Sequence, residues 1–505
     1  MYTRRRRHRG VEKRGRLLAA VATVVVVAVL LPSVAGITIT EPRRGPATSS
    51  ISLAASASTG TTIPVGWYPF SITFDPVNGD LYVDNFGSSN ISVVDTATNK
   101  VVASIPMPPD VGHVVADTTT GVVYAGAPGY GAAVYGINPS SNRVVWTIPI
   151  GCPQGCVADA QAYDPASDEI FVTNLDIGTV TVIHMASIVA RIPVGSGGPN
   201  GAAYDTANGD TYVSNEGSCL SCLNLTVING TTNRVVGQVP GSGGGPGVAY
   251  DSSNGDIYTC TNGASYNFTN FVGVANGTTN TLVASIPIDS GCEAAVYDSV
   301  NDYVYITDRY KGGVDLSNVT VVDPDTNRIV FVLSVQMGPT GIAYDSANHN
   351  VYVADSDTNN ISILPQIYRL TVHETGLPAG TNWSATVEGT TFSSTTPTIT
   401  FPETNGTFSF SIANATNRSA CPSSGNVIVA GGPRDLNVTF PTSSCGGSSK
   451  GLFGLPGETG SYLVGGLLAL LVAATVVFIV LTRRKRRARP PAGPVPTDGT
   501  SGQVR

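Results

Sequence analysis

From residue 71 onward, hydrophobic positions fall in short runs with every second residue apolar, and the runs stop at Asp, Asn and Gly. The stretch Ser71–Pro106 shows the unit. Ser71–Phe74 alternates, Asp75–Asp80 is a turn, Leu81–Val83 is a second strand and Ile91–Val94 a third, with Phe86–Ser89 as the loop between them. Asp95–Asn99 turns the chain again, and Val101–Ile105 makes a fourth strand. A period of two predicts β structure, and Asn78-Gly79 supplies the positive φ that a tight hairpin turn requires. One such meander exposes both faces of its sheet and is marginal alone, so it needs copies to pack against.

The copies are present. The Asp that closes the first strand recurs at Asp75, Asp117, Asp164, Asp205, Asp251, Asp298 and Asp345, at spacings of 42, 47, 41, 46, 47 and 47 residues. Each is followed by a strand with an early aromatic, as in Tyr82-Val83-Asp84-Asn85, Phe171-Val172-Thr173-Asn174, Tyr212-Val213-Ser214-Asn215 and Tyr352-Val353-Ala354-Asp355. A period in the forties with four strands per unit predicts propeller blades. The seventh repeat stops after its third strand, Ile361–Leu364, while Thr62–Gly66 lies before the first repeat and matches fourth strands such as Arg191–Gly195. The N-terminal strand is therefore expected to complete the last blade, leaving no open edge. The repeats over Thr61–Pro365 resemble the YVTN family of β-propeller repeats, named for that second strand.

Residues 366–445 lack this pattern but keep the two-residue period, which predicts a small antiparallel β-sandwich. The signature Glu374, Gly376, Leu377, Pro378, Gly380 and Trp383 resembles Ig-like or PEGA-like modules of archaeal surface proteins. Residues 446–461 have the composition of a flexible stalk, and 37–60 that of a Ser/Thr-rich spacer. Residues 462–482 carry no charge and are long enough to span a bilayer; the basic run Arg483–Arg487 follows, so 483–505 is expected on the cytoplasmic side. Residues 1–36 have a basic start, an apolar stretch and small residues, as a signal peptide or a signal anchor has. The fold class expected is thus all-β: a seven-bladed β-propeller (61–365), the sandwich and one C-terminal transmembrane helix, with the ectodomain outside the cell.

Charge sharpens that topology. The formal net charge is −7, yet both ends are basic, and residues 17–482 hold 13 Lys/Arg against 33 Asp/Glu. A segment that acidic repels polyphosphate, which argues against nucleic acid as a partner. An exported compartment makes disulfides the expected state of the eight cysteines: Cys152 with Cys156, Cys219 with Cys222, Cys260 with Cys292 and Cys421 with Cys445. Cys219-x-x-Cys222 could instead be a zinc or redox pair, but no second CxxC or histidine cluster accompanies it. Sequons stand at Asn90, Asn224, Asn229, Asn267, Asn276, Asn318, Asn360, Asn382, Asn405, Asn414, Asn417 and Asn437.

The turns after the first and third strands are monotonous, and they share one face of the disc. The other face carries the variable loops and the connections between blades, where binding residues are expected. Loop 308–318 contributes Arg309, Tyr310 and Lys311, and loop 262–270 contributes Tyr266 and Phe268; these five are the candidate ligand-binding residues. No metal, cofactor or catalytic set is expected. Asp323-x-Asp325-x-Asn327 and Asp355-x-Asp357-x-Asn359 open like calcium loops but lack the Gly and the closing acid. The expected role is a membrane-anchored propeller for extracellular recognition or adhesion, with a protein or glycan ligand and no enzymatic activity. The alternatives are an extracellular enzyme using the channel, lactonase-like or like a cofactor-dependent dehydrogenase, and a structural envelope component.

Overall fold

The computed structural model describes residues 61–127, 132–151, 158–195, 197–216, 223–261, 270–311, 314–442 and 445. The expected signal, spacer, stalk, transmembrane helix and tail lie outside these residues. So do Cys152, Cys156, Cys219, Cys222, Tyr266, Phe268 and Asn267. Among the described residues no helix is long and apolar enough to cross a membrane.

Each repeat folds as an antiparallel four-stranded meander, and seven such sheets occur among the described residues. Sheet 1 runs Pro69–Asp75, Asp80–Asn85, Asn90–Asp95 and Lys100–Pro106. The innermost strands of sheets 2 to 7 are His113–Ala116, Ala158–Asp164, Gly198–Asp205, Val248–Tyr250, Gly291–Asp298 and Pro339–Tyr344. Each packs on the innermost strand of the next sheet, and that of sheet 7 packs on that of sheet 1. The result is a closed ring of sheets around an axis, the architecture of a β-propeller.

Closure is made by the chain's own N-terminal strand. Thr62–Pro64 pairs antiparallel with the third strand of sheet 7, with Thr62 opposite Ser362 and Ile63 opposite Ile361. Ile63 is 3% exposed and joins an apolar cluster with Phe74 and Leu81 of sheet 1 and Tyr352 and Ile361 of sheet 7. A comparable cluster fills every interface between neighbouring sheets, for example Tyr82 and Val93 against Val114 and Val123 between sheets 1 and 2. The middle strands are covered on both faces, which explains their near-continuous apolar runs.

The recurring polar residues have defined places. Oδ1 of the repeat Asp accepts the backbone N–H two residues on, as at Val77, Ala166 and Ala347, and so builds the turn. The last residue of the YVTN-like segment ties the second strand to the third. Asn85, Asn174 and Asn215 donate through Nδ2 to Ser92, Thr181 and Thr226, each at 2.9 Å. Asp308 and Asp355 replace Asn and accept instead, from Thr320 at 2.6 Å and Ser362 at 2.7 Å. This polar tie lies inside the sheet, where an unmet amide would be costly.

A second set of bonds joins neighbouring sheets. The residue before each repeat Asp is Phe74, Ala116, Tyr163, Tyr204, Tyr250, Tyr297 or Tyr344. The hydroxyls of Tyr163, Tyr204, Tyr250 and Tyr344 reach toward the repeat Asp of the preceding sheet, namely Asp117, Asp164, Asp205 and Asp298, and interact with it electrostatically, while Tyr163 donates to Thr119 at 2.7 Å and Tyr344 pairs with His349 at 3.1 Å. Tyr297 turns to Asp302 instead, at 2.8 Å. Oδ2 of Asp117, Asp164 and Asp298 accepts from the side chain three residues on, Thr120, Ser167 and Asn301, whereas Oδ2 of Asp345, Asp75 and Asp251 has no partner.

Two further sheets follow. Thr398–Thr404, Ile367–Thr375 and Arg434–Thr439 form one; Thr390–Ser394, Trp383–Val387, Gly406–Ile412 and Ser424–Val429 form the other. They share one core that includes Leu370, Val372, Trp383, Phe401 and Phe410, so the unit is a β-sandwich. It is not wholly antiparallel, because Ile367–Thr375 pairs parallel with Arg434–Thr439, strands far apart in sequence. The Glu-x-Gly-Leu-Pro signature is structural. Glu374 accepts the Leu377 N–H, and Gly376 sits at φ 97°, where a Cβ would lie 2.6 Å from the Phe440 carbonyl oxygen. Cys421 and Cys445 are joined, as are Cys260 and Cys292 between sheets 5 and 6.

The sandwich hangs from the turn face. Arg369 pairs with Asp302 (3.1 Å), Asp323 (2.9 Å) and Asp325, all in turns of sheet 6, with its guanidinium 5.1 Å from the Tyr303 ring centre. Asp323 and Asp325, which mimic the start of a calcium loop, are the anchors of this arginine. Gln366 bonds the first turn of sheet 7 through Asn348 and Asn350.

Candidate site at the channel mouth

The variable face opens on a cavity of about 210 Å³ at the end of the central channel. All seven sheets line it. The contributing residues stand at one register, five positions before each repeat Asp: Phe70, Asp159, Asn200, Pro246, Glu293 and Thr340, with His113 one position later in its shorter strand. The reason is local. The innermost strands of sheets 1, 3, 4, 6 and 7 each break register here, so this residue has no cross-strand partner. A bulge re-aims a side chain, and here it aims it at the channel.

The cavity polar groups are arranged in pairs. His113 Nδ1 lies 2.7 Å from Asp159 Oδ1. Burial alone would lower the imidazole pKa, but the carboxylates of Asp159 and Glu293 outweigh it and leave the value raised. Glu293 Oε1 meets Arg309 Nη1 at 3.2 Å; burial raises its carboxyl despite the Arg309 and His113 charges. Glu216, from the second strand of sheet 4, accepts from Asn200 Nδ2 at 2.5 Å, and burial raises it too. Glu216 is thus the carboxylate in this group without a cationic partner.

Arg309 is placed differently from the expectation of a variable loop. The strand Tyr303–Lys311 and its partner Val314–Asp323 carry the hairpin past the point where the apolar pattern ends, so 308–318 is a β-ribbon over its described residues. Arg309 is 5% exposed. Besides Glu293 it donates to the Tyr68 hydroxyl, and its guanidinium lies 4.7 Å from the Tyr310 ring centre and 5.8 Å from those of Tyr68 and Phe70. Lys311 stays exposed, with Asp289 at 3.2 Å. Of the expected site residues, Arg309 is a buried clamp that meets the cavity through Glu293, Tyr310 lies against its guanidinium, and Lys311 is exposed.

An aromatic group rises beside the cavity. Trp67 is 64% exposed and Phe86 37%. Phe86 lies 6.2 Å from Tyr68 and 6.3 Å from Phe70, and Phe70 stands edge-on to His113 at 5.2 Å. Tyr68 has φ 55°, an unusual conformation for a bulky residue, fixed by its N–H to Asn359 and its hydroxyl to Arg309. Among the described residues no group of three or more His, Cys, Asp or Glu is placed to hold a metal. His184, His349 and His373 lie away from the channel, bonded to Asp168, Tyr344 and Asp435.

His113, Asp159, Asn200, Glu216 and Glu293 were not singled out by the sequence. The register five before each repeat Asp would have found four of the cavity's polar residues and, one step on, His113.

No protein-family model and no curated protein matches the chain. Solved structures do. A chain of hydrazine synthase from Kuenenia stuttgartiensis superposes with a TM-score of 0.51 at 16% identity, covering 59% of this chain and 95% of that one. A chain of a mitotic checkpoint complex does so with a TM-score of 0.51 at 12% identity, covering 66% and 98%. At this level of identity the likeness is one of fold, and the shared fold is the propeller.

Proposed function

We propose that the chain is a seven-bladed, YVTN-type propeller that recognises an extracellular protein or glycan at the channel mouth. The observation that carries the reading is the cavity itself: every sheet sends a residue to it, and it opens on the face opposite the sandwich. With the stalk and a C-terminal membrane span following an Ig-like or PEGA-like module, that face points away from the cell. The recognition group is the Arg309 clamp with Tyr310, flanked by Lys311, with Tyr266 and Phe268 as further candidates from the sequence. Glycans are expected on the sandwich, where Asn382, Asn405, Asn414, Asn417 and Asn437 are exposed. In the propeller, Asn229 and Asn276 build turns by accepting from Thr232 and Thr279. The test is a screen of residues 37–460 on glycan and peptide arrays. Retention that is lost in Arg309→Ala/Lys311→Ala, at an unchanged fold, supports the reading; retention unaffected by those changes refutes it.

One observation favours an enzyme instead. His113, held by Asp159 with its pKa raised, is suited to general-acid work on a group in the cavity. That reading requires turnover of a bound compound, abolished in His113→Gln while binding persists.

A further inference from the structure

We propose that the channel mouth seats a single sugar ring, uncharged or bearing an amine, stacked on the Trp67–Phe86–Tyr68 aromatics and hydrogen-bonded by Glu216, Asn200 and Asp159. This inference rests on the recognition reading and narrows its ligand. Size comes first. A cavity of about 210 Å³ is below the ~300–1,000 Å³ of pockets for drug-sized ligands, so it suits one ring at the end of a chain.

The platform comes second. The indole of Trp67, next in the chain to the Tyr68 that Arg309 holds, is 64% exposed, and its backbone is fixed. Trp67 N–H donates to Ser88 Oγ at 3.0 Å and its carbonyl accepts from Gly87 at 3.0 Å. A Cβ on Gly87 would lie 2.9 Å from the indole, so only glycine lets that loop lie against it. The next residue, Tyr68, is kept in a left-handed conformation. Backbone strain that keeps aromatic rings at a cavity rim, rather than burying them, fits a binding platform.

The polar groups come third. Asp159 and Glu293 face His113 and Arg309, whereas Glu216 has Asn200. The cavity thus offers acceptors and donors together, with one carboxylate uncompensated. Hydroxyls both donate and accept, so a ring of them satisfies both kinds of group, whereas an ammonium alone only donates. The excess carboxylate disfavours a uronic acid and tolerates an amino sugar.

The experiment titrates the purified full chain with D-galactose, D-glucosamine, D-glucuronic acid and acetyl-lysine-amide, following tryptophan fluorescence and calorimetry. Galactose and glucosamine are expected to bind and to shift the Trp67 emission; glucuronic acid is expected to bind about tenfold more weakly, a difference of ~1.4 kcal/mol. Trp67→Ala, which alters an exposed ring, and Glu216→Gln should each weaken sugar binding about tenfold or more, while Trp67→Phe retains it. No response to any sugar, equal binding of the lysine derivative, or variants that bind as the parent does would overturn the proposal. If sugars fail but array peptides are held and released by Arg309→Ala/Lys311→Ala, the sugar assignment falls and the recognition reading stands.

Discussion

The missing hydroxyl at position 74 offers a test by gain. In four sheets the hydroxyl of a tyrosine before the repeat Asp interacts with the Asp of the preceding sheet; sheet 1 has Phe74, and Asp345 Oδ2 of sheet 7 is buried without a partner. Phe74 is 9% exposed, so its ring is already packed, and Phe74→Tyr adds only the oxygen. A hydrogen bond to a charged acceptor nets ~1.5–3 kcal/mol, less the desolvation of the new hydroxyl, so a gain of about 1–2 kcal/mol is expected. At ~2.1 cal/mol/K per residue over a folded unit of roughly 380 residues, that is a rise of about 1–3 °C in Tm. The reciprocal change, Tyr204→Phe, removes a hydroxyl near Asp164, which keeps its bonds from Ala166 and Ser167, and should lower Tm by a smaller amount. Scanning calorimetry of both variants decides. A Tm in Phe74→Tyr that is unchanged or lower, with Tyr204→Phe also silent, would refute the inter-sheet latch.

Four further outcomes follow from the same structure. Ile63→Ala in the closing strand should cost about 2–4 kcal/mol, by loss of transfer energy and a residual cavity, and lower Tm by several degrees; a neutral result would mean that the strand does not hold the ring shut. Burial raises Asp75 and Asp308 to about 6 and Asp355 to about 7, all above the unfolded value of 3.8, so the protonated folded form contributes stability that is present below about pH 4 and lost as pH rises through 6 to 7. Tm should therefore fall by roughly 5 °C between pH 5 and 7.5. Asp117, lowered by hydrogen bonds that outweigh its burial, acts oppositely and loses stability on acidification below its unfolded value. Asp84 is fully buried with neither oxygen partnered, and burial raises it well above the usual range; Asp84→Thr, the type present at Thr173 and Thr307, should stabilise the protein at pH 7.5 and flatten the pH profile. Arg369→Ala leaves Asp323 buried without its cation and should cost about 3 kcal/mol or more, read as faster proteolysis at the propeller–sandwich junction 364–367.

The ring of sheets was readable because each blade repeats the same solution: an Asp that builds a turn, an aromatic that fills an interface, and an Asn that ties two strands. The closing strand was readable for the same reason, since Thr62–Pro64 matches an element missing at the other end. The channel mouth was not, because its residues differ in type from sheet to sheet. Phe70, Asp159, Asn200, Pro246, Glu293 and Thr340 share a register and no chemistry. Arg309 looked like part of a loop because alternation of apolar residues stops at Thr307, yet the backbone ladder continues in polar residues to Lys311. The parallel pair in the sandwich joins strands about 65 residues apart, and no local pattern reports such a pairing.

The ligand face is expected to be the one with the channel mouth. Hydroxyl-radical footprinting of the full chain, with and without a ligand captured on the arrays, tests it directly. Trp67, Phe86 and Tyr310 should be protected, with the exposed turn residues Val77 and Val300 on the opposite face labelled as before. Protection of Val77 and Val300 with Trp67 still fully labelled would contradict it.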